Sequence, residues 1–191
     1  MADAHDALRD DPELGPLVAE HGELELDPAD DPFERLVVSI VRQQVSMDAA
    51  AAIRERLFDA VEVTPESVAG ADPDVLRDAG LSTQKTDYVR NVAEAFRDRG
   101  WDRASFQQMS DDEVRAELTS ITGVGDWTAE MFLMFGLGRE DVFPVGDLGI
   151  RKGMRALYGD EATRAEMREV AERWQPYRSY ASLYVWRAYE G

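Results

Sequence analysis

The chain has 191 residues, 44% of them hydrophobic, and carries 39 acidic against 21 basic side chains for a formal net charge of −18. That length supports one sizeable core or two small lobes sharing an interface, and that apolar content excludes disorder of the whole chain. Zero cysteines exclude disulfides, thiol nucleophiles and thiolate-bound zinc or iron–sulfur clusters, and a histidine-built metal site is disfavoured because His5 and His21 are the only histidines.

Residues 1–31 hold 11 acids against Arg9 alone and read as an acidic segment packing on the rest of the chain. Their opening, "MADAHDALRDDPELG", lacks the basic-then-apolar order of a secretory signal. No apolar run anywhere approaches the ~18–20 residues that a bilayer requires, so no membrane partner and a cytoplasmic location are expected. Apolar residues then recur at helical spacing over 33–45 (Phe33, Leu36, Val37, Ile40, Val41) and 49–58 (Ala49, Ala52, Ile53, Leu57), the first introduced by "DPF" at 31–33. "TPES" at 64–67 and "DPDV" at 72–75 mark further helix starts, and "LRDAGLSTQK" at 76–85 puts Gly80 where an ordinary helix ends. A helix over 86–96 (Tyr88, Val89, Val92, Phe96) comes next, then a start at "SDDEV", 110–114. The stretch "LTSITGVGDWTA" at 118–129 turns into a helix over 127–135 carrying Trp127, Met131 and Met134, with Phe132 and Phe135 beside them. Helices over 148–158 and 165–174 and the break "QPY" at 175–177 complete the chain. With no alternating strand pattern, long linker or fixed repeat, the fold class is all-α, about nine or ten short helices.

A strongly acidic chain is an unpromising partner for nucleic acid, whose affinity comes largely from Lys and Arg displacing counterions. The charge is uneven, however: residues 32–150 carry 22 acids against 12 bases, and residues 151–191 carry 6 against 8. Aspartate is the commonest acid (21 Asp, 18 Glu), and only Lys85 and Lys152 stand beside 19 arginines, a halophilic pattern like that of proteins working in molar internal salt. At about 1 M salt the Debye length is ~3 Å, so overall repulsion hardly reaches beyond contact. A partner must therefore be read from local sites.

Gly123 and Gly125 bracket one residue just before a helix, the sequence form of a helix-hairpin-helix turn. Such a turn presents N–H groups that no intrahelical carbonyl can use, at the positive end of the helix dipole, where a phosphate fits without any lysine. Taken alone, a tight helix–helix turn explains the pair equally well, and Asp126 directly behind it opposes an anion or caps the helix. Downstream, "DVFPVGDLGIRKGMRALY" at 141–158 sets Asp147 just before a helix, 22 residues beyond Gly125. By itself Asp147 is a helix N-cap, Trp127 and Trp186 are core aromatics, and Gln44 is a surface glutamine.

The ordered set of GVG-x-x-TA, PVGD and a basic helix resembles the helix-hairpin-helix/Gly-Pro-Asp superfamily of DNA base-excision glycosylases, and within it the 3-methyladenine DNA glycosylase II, AlkA-like branch. Three stretches add to the resemblance: "DPFERLVVSIVRQQVSMDAAAAIRERL" at 31–57, "ADPDVLRDAGLSTQKTDYVRNVAEAF" at 71–96 and "RWQPYRSYASLYVW" at 173–186, so that it covers roughly residues 13–190. It implies a compact two-lobed helical bundle in a single domain over 1–191, with the hairpin at about 112–135 and an active-site cleft between lobes. It further implies that Asp147 is the catalytic carboxylate and that Trp127, Met131 and Trp186 line a base pocket. Gln44 would fill the gap left by an extruded base. Gly123, Val124, Gly125 and Thr128 would meet DNA, and the carbonyls of Thr119, Ile121 and Val124 would hold a monovalent cation, Na+ or K+. Many members carry a basic residue where this chain has Asp126 and an aromatic where it has Met131. Lyase members place a Schiff-base lysine where this chain has Trp127, so the resemblance implies a monofunctional hydrolase with no other cofactor, acting on double-stranded DNA that contains damaged bases; a monomer is the default expectation.

The chemistry agrees with these residue types. A purine alkylated at N3 or N7 is positively charged, leaves readily and stacks on indole rings as other cations do. Breaking its glycosidic bond leaves an oxocarbenium-like sugar, which a fixed carboxylate stabilises or helps water to attack. The base must first be swung out of the duplex at a cost of a few kcal/mol, which stacking at ~1–3 kcal/mol per base can offset. Two rival readings are a non-catalytic hairpin module that binds damaged DNA and a helical scaffold for other proteins.

Overall fold

The computed structural model describes residues 3–190. Among these the elements are α1 (Ala4–Arg9), α2 (Leu14–His21), α3 (Pro32–Arg42), α4 (Met47–Ala60), α5 (Pro65–Gly70), α6 (Pro73–Asp78), α7 (Thr83–Arg99), α8 (Arg103–Gln107), α9 (Asp111–Thr119), α10 (Asp126–Phe135), α11 (Leu148–Tyr158), α12 (Arg164–Ala171) and α13 (Arg178–Glu190), with a 3-10 turn at Glu172–Trp174. The described residues contain no strand, so the all-α class holds, with thirteen α-helices rather than nine or ten. The surplus is α1, α2 and α8, of six, eight and five residues, too few for an apolar stripe to repeat. None of the described helices is long and apolar enough to cross a membrane.

The chain divides into two compact units, one formed by Met1–Asp27 with Gly138–Gly191 and the other by Pro28–Leu137. In the second unit the capping residues fall where the sequence puts them. Asp31 accepts from the Phe33 and Glu34 N–H groups with Pro32 in the first turn of α3, Thr64 caps α5 and Asp72 caps α6. Ser110 opens α9 with a reciprocal bond to Glu113; each such cap is worth ~1 kcal/mol. Gly80 follows α6, donating its N–H to Arg77 O at 2.8 Å, as its reading as a helix end requires. The core runs through a chain of edge-on and tilted rings, Phe33–Phe96 at 5.2 Å, Phe96–Phe106 at 5.7 Å and Phe106–Phe132 at 5.0 Å, with Trp101 against both Phe96 and Phe106. The aliphatic face of α3, Leu36, Val37, Ile40 and Val41, is fully buried alongside.

The first unit joins both ends of the described chain. Leu8, Leu14 and Val18 from α1 and α2 enter one core with Ile150, Met154, Met167, Trp174, Tyr184 and Val185. The acidic opening segment is held here by its acids as well as by its apolar residues. Asp11 receives the Glu13 and Leu14 N–H groups on one oxygen, both at 3.0 Å, and the Trp174 indole N–H on the other at 2.9 Å, with Arg173 at 3.1 Å. The closest helix packing in this unit is between α11 and α13. A Cβ built on Gly153 would lie 2.0 Å from Val185 O, and one on Gly149 would lie 2.7 Å from Trp186 Cδ1. Glycines four residues apart thus give α11 a smooth stripe on which the α13 backbone rests.

Candidate active site

In the Pro28–Leu137 unit, α9 and α10 form the expected hairpin, joined by residues 120–125. Gly123 has φ +104°, and a Cβ there would stand 2.1 Å from Tyr88 Cγ; glycine is required on both counts. Gly125 differs: its φ is −99°, and nothing lies within 4 Å of where its Cβ would be. Open space on that side leaves a strand free to approach the turn. Three side chains hold the turn from behind. Gln43 Nε2 donates to Gly123 O at 3.1 Å and to Thr128 Oγ1 at 3.0 Å, and Asn91 Nδ2 donates to Thr122 O at 3.1 Å, while Tyr88 lies under Gly123. Neither the Gly123 nor the Gly125 N–H meets an acceptor within the described residues, and α10 begins at Asp126 with no side-chain cap. The turn therefore faces outward with the donors an anion needs.

Two of the expected contacts turn inward. Val124 is 5% exposed and donates its N–H to Ile121 O at 3.0 Å, and Thr128 is 2% exposed with its hydroxyl receiving Gln43. Both side chains are buried within the hairpin, although Val124 also borders the groove beside the turn. Thr119 O and Val124 O receive no donor within the described residues, and Ile121 O receives only the Val124 N–H. Three neutral carbonyl oxygens are a donor set for a hard monovalent ion. Trp127 is half-buried on α10, and Met131, one turn further along, is 5% exposed.

The helix expected over 33–45 ends three residues early. α3 stops at Arg42, and Gln44 takes φ +55°, the only positive φ outside glycine within the described residues. Tertiary contacts override the apolar period here: the Gln43 side chain is drawn to the hairpin, and Ser46 caps α4 by accepting from Ala49 N–H. Gln44 is left exposed at the tip of the α3–α4 turn in a backbone state that costs a side-chain-bearing residue ~1–2 kcal/mol. It borders a groove of about 590 Å³ also lined by Gln43, Gly80, Lys85, Tyr88, Gly123 and Gly125. Burial lowers the Lys85 ammonium below the usual lysine range, and its Nζ donates to Val41 O at the end of α3, 2.7 Å away.

In the other unit Asp147 caps α11. Its Oδ1 receives the Ile150 N–H at 3.0 Å and the Trp186 indole N–H at 2.8 Å. The Gly149 and Gly153 stripe brings α13 close enough for the second bond, and it is a feature that the GIRKG spacing at 149–153 carries but composition hides. Trp186, expected as a wall of the base pocket, thus holds the carboxylate by its ring edge. Arg151 Nη1 donates to Gly146 O at 2.5 Å and ties the PVGD turn to the helix. Sequence reasoning missed Gln43, Asn91 and Tyr88, since nothing in a lone amide or phenol announces a partner dozens of residues away.

Residues 37–176 match the HhH-GPD superfamily of base excision DNA repair proteins, and the chain belongs to that family. Among particular relatives, it is 33% identical over 165 residues to DNA-3-methyladenine glycosylase 1 of Schizosaccharomyces pombe, covering 82% of this chain and 72% of that protein. It superimposes on the structure of the Schizosaccharomyces pombe 3-methyladenine DNA glycosylase Mag1 in complex with abasic DNA with a TM-score of 0.89, at 30% identity, over 97% of this chain and 96% of that one. A Bacillus subtilis relative is 30% identical over 83% of this chain, and the chain spans 59% of that relative's length.

Proposed function

We propose that the chain is a monofunctional DNA glycosylase that hydrolyses the N-glycosidic bond of alkylated purines, of the 3-methyladenine and 7-methylguanine type, after they are turned out of duplex DNA. The observation that carries this reading is the Asp147 carboxylate fixed by both the α11 N-terminus and the Trp186 indole. Asp147 stabilises positive charge as it develops on the sugar and orients the attacking water. The Gly123 and Gly125 N–H groups hold a phosphate, Gln44 fills the space in the stack, and Trp127 and Met131 meet the extruded base, the flexible thioether admitting more than one lesion. The carbonyls of Thr119, Ile121 and Val124 suit Na+ or K+, which would add positive charge beside the bound phosphate. The two units act together as one glycosylase domain, a cytoplasmic monomer adapted to high salt.

Methylated duplex incubated in molar KCl tests this. Strand breaks that appear only after hot alkali, and are lost in Asp147→Asn, are the expected result. Breaks without alkali would mean a lyase, and mobility shifts with no breaks would mean the non-catalytic module.

A further inference from the structure

Away from these residues, the Met1–Asp27 and Gly138–Gly191 unit gathers one imidazole and two carboxylates. His5 on α1 is 5% exposed, and its Nε2 lies 2.9 Å from Leu24 O. A carbonyl only accepts, so in the neutral ring Nε2 carries the proton and Nδ1 presents a lone pair. Nδ1 is buried with no hydrogen-bond partner, and the nearest charged atom is another acceptor, Asp3 Oδ1, at 3.5 Å. One oxygen of Glu23 joins them, the three ligand atoms all lying within 4.8 Å of one another. The buried Nδ1 lone pair faces carboxylate oxygens rather than a donor, and a shared cation relieves that repulsion.

The ring is held firmly for such a role. Tyr180 and Tyr184 pack edge-on at 5.6 and 6.2 Å, and the Tyr184 hydroxyl donates to Gly22 O at 2.8 Å while accepting the Leu24 N–H at 3.1 Å. The surrounding field is negative: Glu25 and Glu140 join Asp3 around Tyr180, and the nearby cation is Arg9, which pairs with Glu23 at 2.6 Å and with Asp6. A carboxylate has acceptor sites enough for an arginine and a metal ion together.

We propose that Asp3, His5 and Glu23 form a divalent transition-metal site that fastens α1 to the Gly22–Leu24 segment. One imidazole nitrogen with two carboxylate oxygens suits Zn2+ and its borderline neighbours, with water completing the shell, in preference to Mg2+ or Ca2+, which favour oxygen alone. The Leu24 carbonyl on the far nitrogen is the outer partner that metal-bound histidines commonly have. Ligand atoms ~2.0–2.2 Å from a zinc ion sit roughly 3–3.5 Å apart, so the exposed Asp3 and Glu23 side chains need only close slightly. The site is structural and shares no residue with the glycosylase machinery, so it stands or falls independently of the proposed activity.

Zn2+ titrated calorimetrically into the full chain, stripped with EDTA, is expected to show one saturable site and a raised Tm. Glu23→Gln and Asp3→Asn should each weaken binding at least tenfold, while Glu117→Gln, which alters an exposed carboxylate paired with Arg99, leaves affinity unchanged. His5→Gln should abolish binding; because His5 is a core residue, nitrogen NMR of the wild-type imidazole gives a second reading, with Nδ1 shifting on Zn2+ addition and the Nε2 proton retained. Uptake equal for Zn2+ and Mg2+, unchanged affinity in Glu23→Gln, or an Nδ1 that is protonated and insensitive to Zn2+ would overturn the proposal.

Discussion

On the proposed reading, the two units offer opposite solutions to one problem, how an acidic protein deals with an acidic polymer. Pro28–Leu137 offers main chain: the N–H groups of the half-buried Gly123 and the exposed Gly125, set by Gln43, Asn91 and Tyr88 from behind. The other unit offers a side chain, Asp147, fixed by a helix N-terminus and an indole. Neither device depends on lysine, and neither is visible in net charge. The lesson is that damage to the Pro28–Leu137 unit should be read in DNA affinity, and damage to the unit bearing Asp147 in the rate of the chemical step.

The sharpest way to separate them is Asp147→Asn. Asparagine caps helices as well as aspartate, so Tm and DNA affinity should stay put while single-turnover excision falls about 100-fold or more, ~3 kcal/mol of lost charge stabilisation. Equal losses of affinity and rate would break the division of labour. Within the hairpin, Gly123→Ala drives a methyl group into Tyr88 at a positive φ and should destabilise the protein by about 2–3 kcal/mol in urea unfolding. Gly125→Ala meets only open space; stability should move by less than about 0.5 kcal/mol, yet DNA binding measured by anisotropy should weaken, because the methyl group occupies the approach of the phosphate.

Trp186→Phe keeps an aromatic ring but removes the N–H to Asp147. A hydrogen bond to a charged group is worth ~1.5–3 kcal/mol, so kcat should fall by about tenfold or more with KM unchanged; a rise in KM alone would return Trp186 to the role of a stacking wall. The smallest effect is expected at the α3–α4 turn. Gln44→Gly relieves the left-handed backbone and should raise stability by about 0.5–1 kcal/mol, while excision slows for a paired lesion and hardly changes for a mismatched one, which is easier to extrude.

Much of the fold was legible in the sequence. Asp31, Thr64, Asp72 and Ser110 cap the helices that "DPF", "TPES", "DPDV" and "SDDEV" announce, because a cap is a local contract between neighbours in sequence. The GVG turn and the PVGD cap were readable for the same reason. What escaped was non-local. The early end of α3 depends on Gln43 reaching Gly123, 80 residues away, and the short helices α1, α2 and α8 owe their form to packing rather than to period. The His5 cluster was hidden by a count: two histidines look too few for a metal, yet Asp3, His5 and Glu23 meet only because α1 and the Gly22–Leu24 segment are brought together.

The division of the chain has a consequence for its biosynthesis. Residues 28–137 form an uninterrupted stretch, whereas the unit bearing Asp147 is incomplete until α13, residues 178–190, has left the ribosome. Domains generally fold as units while the chain emerges, so the unit with the glycine turn can be assembled before the unit that carries Asp147 is complete. A translation product cut short after residue 137 would carry the glycine turn without Asp147, and so a surface for phosphate with no carboxylate to act on a sugar.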